Sequence, residues 1–341
     1  MTGSKQGISM QPKATADFEP RLIILTVNQV KQFTKKLVNA ALYPAIGIGL
    51  FLLLWQFTAT NIVTSLGQFP GPTEVWTQSK GVMTEHYAER EKEQAFYKRQ
   101  EKRNAIKLAK DPEAIVKIRN YTGKATFVDQ IFTSLYTVGF GFFVASVIAI
   151  PLGVLCGLSD AAYRSINPII QTFKPISPLA WLPLVTMVVS ALYVSDDPIF
   201  DKAFLTSAFT VALCCLWPTV VNTIVGVSSI DRDLINVSRV LRLSPLVHVK
   251  TIVIPSSIPH IFTGLRLSLA TGWMVLIAAE MLAQNPGLGK FIWDEFQNGS
   301  SNSLGRIMVA VLVIGIIGFI LDHLMLLIQK RFSWDKQATL R

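Results

Sequence analysis

Three charged residues, Lys174, Arg266 and Glu280, stand inside stretches that are otherwise apolar. A charge held in hydrocarbon costs roughly 2.5–3.5 kcal/mol on insertion scales, so each is a candidate for guiding or gating a polar solute. Lys174 and Arg266 are cations that would attract an anion. Glu280 would repel one, and suits a gate or a helix contact better. Arg266 and Glu280 are about four helical turns apart, too far to pair along one helix. Both cations have a second reading, as long side chains near the end of a span that snorkel toward the interface. Trp181 and Trp273 either line a path or pack at an interface. Asp322 and His323 are suited to a polar contact with a neighbouring helix.

A second group, from Asp231 to Pro255, reads DRDLINVSRVLRLSPLVHVKTIVIP. Leu234, Val237 and Leu241 recur at helical spacing, while Asn236, Arg239 and Arg242 recur at i, i+3 and i+6. The pattern predicts an amphipathic helix of about two turns. Asp231 and Asp233 stand at its start and the basic residues toward its end, as the helix dipole favours. Ser244-Pro245 ends it and opens a second helical stretch, proline being accepted in a first turn. Such a helix either rests on its own protein and the lipid interface or offers its polar face to a soluble partner.

These residues need elements to hold them, and composition says which kind. The chain has 341 residues, 50% hydrophobic and 16% charged, with mean hydropathy +0.42. Soluble domains carry about a quarter of their residues as charges. The shortfall implies a surface that does not face water, and the same numbers exclude disorder of the whole chain. Six runs are long enough to cross a ~30 Å hydrocarbon layer: Ala40 to Thr60, then about Ile131 to Leu158, Ile166 to Val194, Ala203 to Val227, Ile261 to Ala283 and Ile307 to Ile328. The expected fold is all-α, a polytopic membrane protein with six transmembrane helices. The third run carries Pro168, Pro175, Pro178 and Pro183, tolerated where neighbouring helices satisfy the freed carbonyls.

The net charge of +10 then bears on orientation, not on nucleic acid. Lys31, Lys35 and Lys36 precede the first span, Lys330 and Arg331 end the last, and Arg232, Arg239, Arg242 and Lys250 lie between the fourth and fifth. Asp196, Asp197 and Asp201 follow the third. The expectation is a multi-pass membrane protein with both termini cytoplasmic. Its parts are a cytoplasmic segment 1–39, a first span 40–62, an extracytoplasmic loop 63–128, a transmembrane domain 129–330 with the loop 231–255, and a cytoplasmic tail 331–341. The charged stretch from about Met83 to Lys124 lies outside by this reckoning, as a soluble insertion of one or two exposed helices stopped near Asp111-Pro112 and Thr122-Gly123. It reads either as a solvated charged helix or as a docking surface for an external partner or a neighbouring subunit.

The loop 231–255 resembles the signature of permeases of bacterial ATP-binding-cassette importers: Glu-Ala-Ala, three residues, Gly, nine residues, then Ile-x-Leu-Pro. Asn236, Val237, Ser238, Arg242, Ile252, Ile254 and Pro255 hold those places, with the register kept and the Glu, both Ala and the Gly changed. PLGVLCGLS at Pro151 to Ser159, NPIIQTFKPISPLAWLPL at Asn167 to Leu184 and IPHIFTGLRLSLATGWMVLIAAEML at Ile258 to Leu282 are similar to the nitrate, sulfonate, taurine and bicarbonate subfamily, as is QFPGPTEVW at Gln68 to Trp76. The resemblance implies the type I importer permease fold. It also implies a small-anion permease, nitrate first (with nitrite or cyanate beside it), with sulfonate, taurine or bicarbonate as rivals.

The resemblance further implies coupling to the ATPase through Asp233, Asn236, Val237, Ser238, Arg239, Arg242, Ser244 and His248. The implied partners are ABC ATPase subunits carrying ATP and Mg, an extracytoplasmic substrate-binding protein, a second permease copy and the bilayer. An Arg in the left-handed turn that glycine often takes would cost roughly 1–2 kcal/mol. Arg242 therefore either stays right-handed or offers its guanidinium to an acidic ATPase surface.

No cofactor, metal or catalytic residue is expected on this chain. The sequence has no GxxxxGK[ST] phosphate loop, and the GxG of Gln284 to Phe291 follows no strand. His86, His248, His260 and His323 show no ligand spacing, and Cys156, Cys214 and Cys215 read as small buried hydrophobes. A carrier or channel working without ATP is the rival of another class. It would favour repeated halves and ionisable residues at mid-membrane.

Overall fold

The computed structural model describes residues 42–64, 67–111, 115–116, 118–194, 199–300 and 302–332. The expectations for both terminal segments, including Lys31, Lys35 and Lys36, and for Asp196 and Asp197, lie outside these. Two compact units divide at residues 63 and 64. The first holds α1, Leu42–Asn61, apolar and long enough to cross a membrane.

Among the described residues the second unit is helical apart from the short strand Gly67–Gln68, turns and connections. Its helices are α2 (Pro72–Lys110), α3 (Phe127–Leu158), α4 (Asp160–Phe173), α5 (Pro178–Leu192), α6 (Lys202–Ser228), α7 (Arg232–Val240), α8 (Pro245–His248), α9 (Ile254–Ala283), α10 (Leu288–Asn298) and α11 (Ser303–Phe332). A π-helical turn, Val249–Val253, joins α8 to α9.

Glycines set the packing of the central layer. A side chain at Gly141 would strike Ala208 and Val211, one at Gly153 would strike Val220 and Thr223, and one at Gly157 would strike Ile224 and Val227. The offset stays at 67 and 70 residues in all three pairs, so α3 and α6 run parallel at close approach. Small residues permit that contact in a membrane, where apolar burial between helices gives little drive. By the same logic α9 runs antiparallel to α6, with Gly272 against Cys215 and Gly264 against Thr219. Ser268 fixes the register by sharing a 2.7 Å hydrogen bond with Thr219. α11 runs antiparallel to α9, since Trp273 meets Ile314 while Gln329 meets Pro259.

The third run is not one straight span. α4 and α5 meet at 103°. Pro175 has no N–H to continue α4, so Lys174 gives the last backbone bond, to Ile170. Pro178 holds Ser177 extended (ψ 137°) and starts α5. Because α3 and α6 are parallel, α4 and α5 together carry the chain back across the layer, which makes the broken pair a crossing and gives six among the described residues. Two ends of the bundle follow. At one lie α2, α10, the starts of α3 and α11 and the finish of α9. At the other lie α7, α8 and the finishes of α3, α6 and α11.

The charged insertion is helical only as far as Lys110, as the latter part of α2, which begins earlier than charge alone suggested; its described residues from Asp111 to Lys124 are not helical. Pro72 occupies the first turn of α2 after Gly71, and Asp111 ends it.

Candidate functional site

The connection between α6 and α9 is built as a rigid corner. Asp231 caps α7 by accepting from the Asp233 N–H at 3.0 Å. Ser238 is the buried position of α7, and its hydroxyl shares a 2.8 Å hydrogen bond with His248 Nδ1 on α8. The turn between them closes with the Arg242 N–H on the Arg239 carbonyl and the Leu243 N–H on the Ser238 carbonyl. Arg242 adopts φ 48°. The left-handed alternative therefore holds, and the position that favours glycine carries an Arg at its strain cost.

Exposure on this corner runs against a simple polar face. Asp233, Asn236, Arg239, Arg242 and Ser244 are exposed, and so are Leu234, Val237, Val240, Leu241 and Leu246. Only Ser238 among the α7 side chains turns fully inward. The corner thus presents an apolar patch ringed by Arg239 and Arg242, a composition suited to an interface core with a polar rim. In the π-helical turn that follows α8, Val253 is fully buried against Val154 of α3 and Val227 of α6.

The five pathway candidates fall in three places. Lys174 is exposed at the break between α4 and α5. Trp181 stacks on Phe173 with centroids 5.6 Å apart. It also borders an apolar cavity of about 650 Å³ between α5 and α6, which Leu192 and Phe209 help to line. Arg266 lies twelve residues into α9, about 18 Å from its start. It donates through Nε and Nη2 to the two carboxylate oxygens of Asp322 on α11, the second at 2.7 Å. Trp273, one helical face above, donates its indole N–H to the Ile314 carbonyl at 3.0 Å.

Glu280 is fully buried at the end of α9 that meets α10. Its carboxylate oxygens accept from the Ser134 hydroxyl at 2.9 and 2.8 Å and from the Gly289 N–H at 3.0 Å. Ser134 in turn accepts from the Leu288 N–H at 2.9 Å, and Asn285 donates to Thr137 at 3.2 Å. The carboxyl group therefore ties α3, α9 and the start of α10 together. No cation pairs with it among the described residues. Gly287 and Gly289, the GxG of the sequence, leave room for it: a side chain at either would fall on Glu280 or the Ile277 carbonyl.

Sequence reasoning missed a third cluster. Arg306, at the start of α11, donates through Nη1 and Nη2 to Glu85 of α2 at 2.6 and 2.9 Å, and its Nε lies 2.7 Å from Glu295 of α10. The Arg306 hydrogen bonds hold the Glu85 carboxyl below the usual carboxylate range. Beside it, Arg90 reaches Asp129 at 3.0 Å and His86 meets Thr126 at 2.7 Å, so α2 is pinned to the start of α3. Tyr121 donates to Glu89 at 2.7 Å, which lowers the Glu89 pKa and raises that of Tyr121. Separations of 221 residues for Arg306–Glu85 and 56 for Arg266–Asp322 leave no local signal for either pair.

Known proteins resemble the chain in sequence and in fold. Residues 149–334 match the family described as binding-protein-dependent transport system inner membrane component. The nitrate import permease protein NrtB of Synechocystis sp. is 39% identical over 194 residues, 57% of this chain and 66% of that one. The chain thus spans about two thirds of that relative's length. The bicarbonate transport system permease protein CmpB of the same organism is 32% identical over 304 residues, 89% of this chain and 92% of that one. Among solved structures, the methionine transporter MetNI in inward-facing conformations gives a TM-score of 0.53 at 15% identity, covering 61% of this chain and 96% of that one. At that identity the likeness concerns the fold.

Proposed function

The chain belongs to the family of binding-protein-dependent transport system inner membrane components, and we propose that it is the permease of an ATP-driven importer for nitrate. It is a membrane-embedded transport component, not an enzyme, and its family works with an ATPase and a binding protein. The observation that carries the nitrate reading is the 39% identity to a nitrate import permease across the transport core. Bicarbonate is the second reading, supported by the longer alignment with the bicarbonate permease.

In this reading the α7–α8 corner receives the ATPase, whose own ATP and Mg drive the cycle. The apolar patch of Val237 and Leu241 seats in a groove of the ATPase, and Arg239 and Arg242 meet acidic groups at its rim. The corner's end of the bundle is then cytoplasmic, with both chain termini. The α2–α10 end, where a binding protein releases its anion, is outside. The permease works as a pair of identical copies enclosing the path, with residues 63–128 as the external loop and 129–330 as the transport domain. A ligand shifts a two-state equilibrium only by binding the states unequally. The ATPase does so by moving the corner, which is followed by Val253 packed on α3 and α6. Lys174, exposed at the break between α4 and α5, supplies positive potential to an anion's route, while Arg266, its charge balanced by Asp322, holds α9 and α11 beside it.

The test is ATP hydrolysis by the complete complex in nanodiscs, with binding proteins loaded with nitrate, bicarbonate or taurine. Nitrate-loaded protein should stimulate hydrolysis severalfold over the other two. Stimulation by bicarbonate-loaded protein alone would transfer the assignment to bicarbonate.

A further inference from the structure

α2 divides into two halves with different electrostatics. From Glu85 to Glu93 every charge but the exposed Glu91 is paired: Glu85 with Arg306, Glu89 with Lys92, and Arg90 with both Glu93 and Asp129. From Lys98 to Lys110 the helix carries Lys98, Arg99, Lys102, Arg103, Lys107 and Lys110 against Glu101 alone, a net +5 by six minus one. All six cations are exposed, and none is in an ion pair among the described residues. At 1.5 Å per residue this stretch is about 18 Å long. Arg99, Arg103, Lys107 and Lys110 fall within one side of it, at helical spacings of four, four and three.

The half carries its cations on the surface. Among the described residues the returning chain bonds α2 at Gln100, whose Oε1 accepts from the Arg119 N–H at 3.0 Å, and at Tyr97, whose hydroxyl accepts from the Tyr121 N–H at 3.1 Å. No side chain from Glu101 to Lys110 hydrogen-bonds another element among the described residues. The pinned half, fixed by Arg306, Asp129 and Thr126, gives this arm a defined origin at the end of the bundle opposite the α7–α8 corner.

We propose that residues 98–110 are a docking arm for the acidic surface of the soluble binding protein that delivers substrate, and this rests on the import reading above. Unpaired like charges on one rigid helix repel each other, and an oppositely charged surface relieves them while steering encounter. A lipid surface fits less well. A helix that lies in the headgroup layer needs a continuous apolar face opposite its charges, and here only Ile106 and Leu108 are exposed large apolar residues.

The test uses the complete transporter in nanodiscs, titrated with loaded binding protein while ATP hydrolysis is read. The variant replaces the six cations together (K98Q, R99Q, K102Q, R103Q, K107Q and K110Q), keeping helix-forming side chains and leaving the pinned half untouched. In the wild type the half-stimulating concentration of binding protein should rise with salt between 50 and 300 mM. In the variant it should be about tenfold higher at low salt and nearly independent of salt, because opposite surface charges steer encounter only while unscreened. Basal and maximal stimulated rates should not change. An unchanged half-stimulating concentration with unchanged salt dependence overturns the proposal. So does a difference that appears in anionic lipid and vanishes in phosphatidylcholine, which would assign the cations to the membrane. Failure of the import reading looks different: the wild type itself would respond to no loaded binding protein.

Discussion

Arg266 of α9 and Asp322 of α11 face each other through two parallel hydrogen bonds, so the Arg266 charge is compensated within the same chain. The pair is partly open, with side-chain exposures of 31% and 37%. It therefore lies between a surface pair, worth about 1 kcal/mol or less, and a buried one, whose breaking costs about 3–5 kcal/mol.

Arg266→Leu should accordingly destabilise the protein by about 1–3 kcal/mol, because it leaves Asp322 charged and unpaired. Adding Asp322→Leu should recover most of that loss. A double-mutant cycle on thermal unfolding in detergent measures the coupling, and additive effects would show that the pair contributes nothing.

At Glu280, truncation to Ala would strand the Ser134 hydroxyl and the Gly289 N–H in a dry site. With each lost partner costing about 1–3 kcal/mol, the expected loss is about 2–4 kcal/mol, read as a fall in Tm. Gly289→Ala should act in the same direction, since its methyl would fall on the Ile277 carbonyl. Binding-protein-independent ATP hydrolysis in the surviving fraction should be the same for both variants if the site serves packing alone.

The left-handed Arg242 gives a prediction of opposite sign. Arg242→Gly should relieve backbone strain and stabilise the corner by up to about 1 kcal/mol, with assembly retained. Arg242→Glu should weaken ATPase binding in a pull-down if the guanidinium meets acidic groups. Equal affinities for the wild type and Arg242→Glu would remove the charge from the docking account.

The contact between α2 and α11 should depend on acid. Glu85 is held below its ordinary range by Arg306. Its stabilising effect is therefore complete above the unfolded value of about 4.3 and is lost as pH falls through the lower folded value. Spin labels at Gly81 and Val311 should report one distance from pH 8 to pH 5 and a broader, longer distribution below about pH 4. Arg306→Ala should give the broad distribution at every pH.

The sequence showed the elements more clearly than their joints. The i, i+3 and i+6 recurrence of Asn236, Arg239 and Arg242 marked α7, and Asp231 marked its cap, because both signals are local. The break at Lys174–Ser177 is hidden inside one proline-rich apolar run, since hydropathy is blind to direction and only the parallel packing of α3 and α6 shows what α4 and α5 accomplish. The exposed Leu234, Val237 and Leu241 could equally have been a buried face, because periodicity shows that a face exists and not what covers it. Glu280 was recognised as unusual, but its partners Ser134 and Gly289 lie on other helices and no spacing rule reaches them.

The central claim is that ATP drives nitrate through this permease. Its most direct test is accumulation of ¹⁵N-nitrate in proteoliposomes that hold the permease, its ATPase and nitrate-loaded binding protein. The account predicts uptake against a gradient that requires ATP and the ATPase and is not displaced by excess bicarbonate. Accumulation of bicarbonate instead, or nitrate entry that persists on an ion gradient without the ATPase, would contradict it.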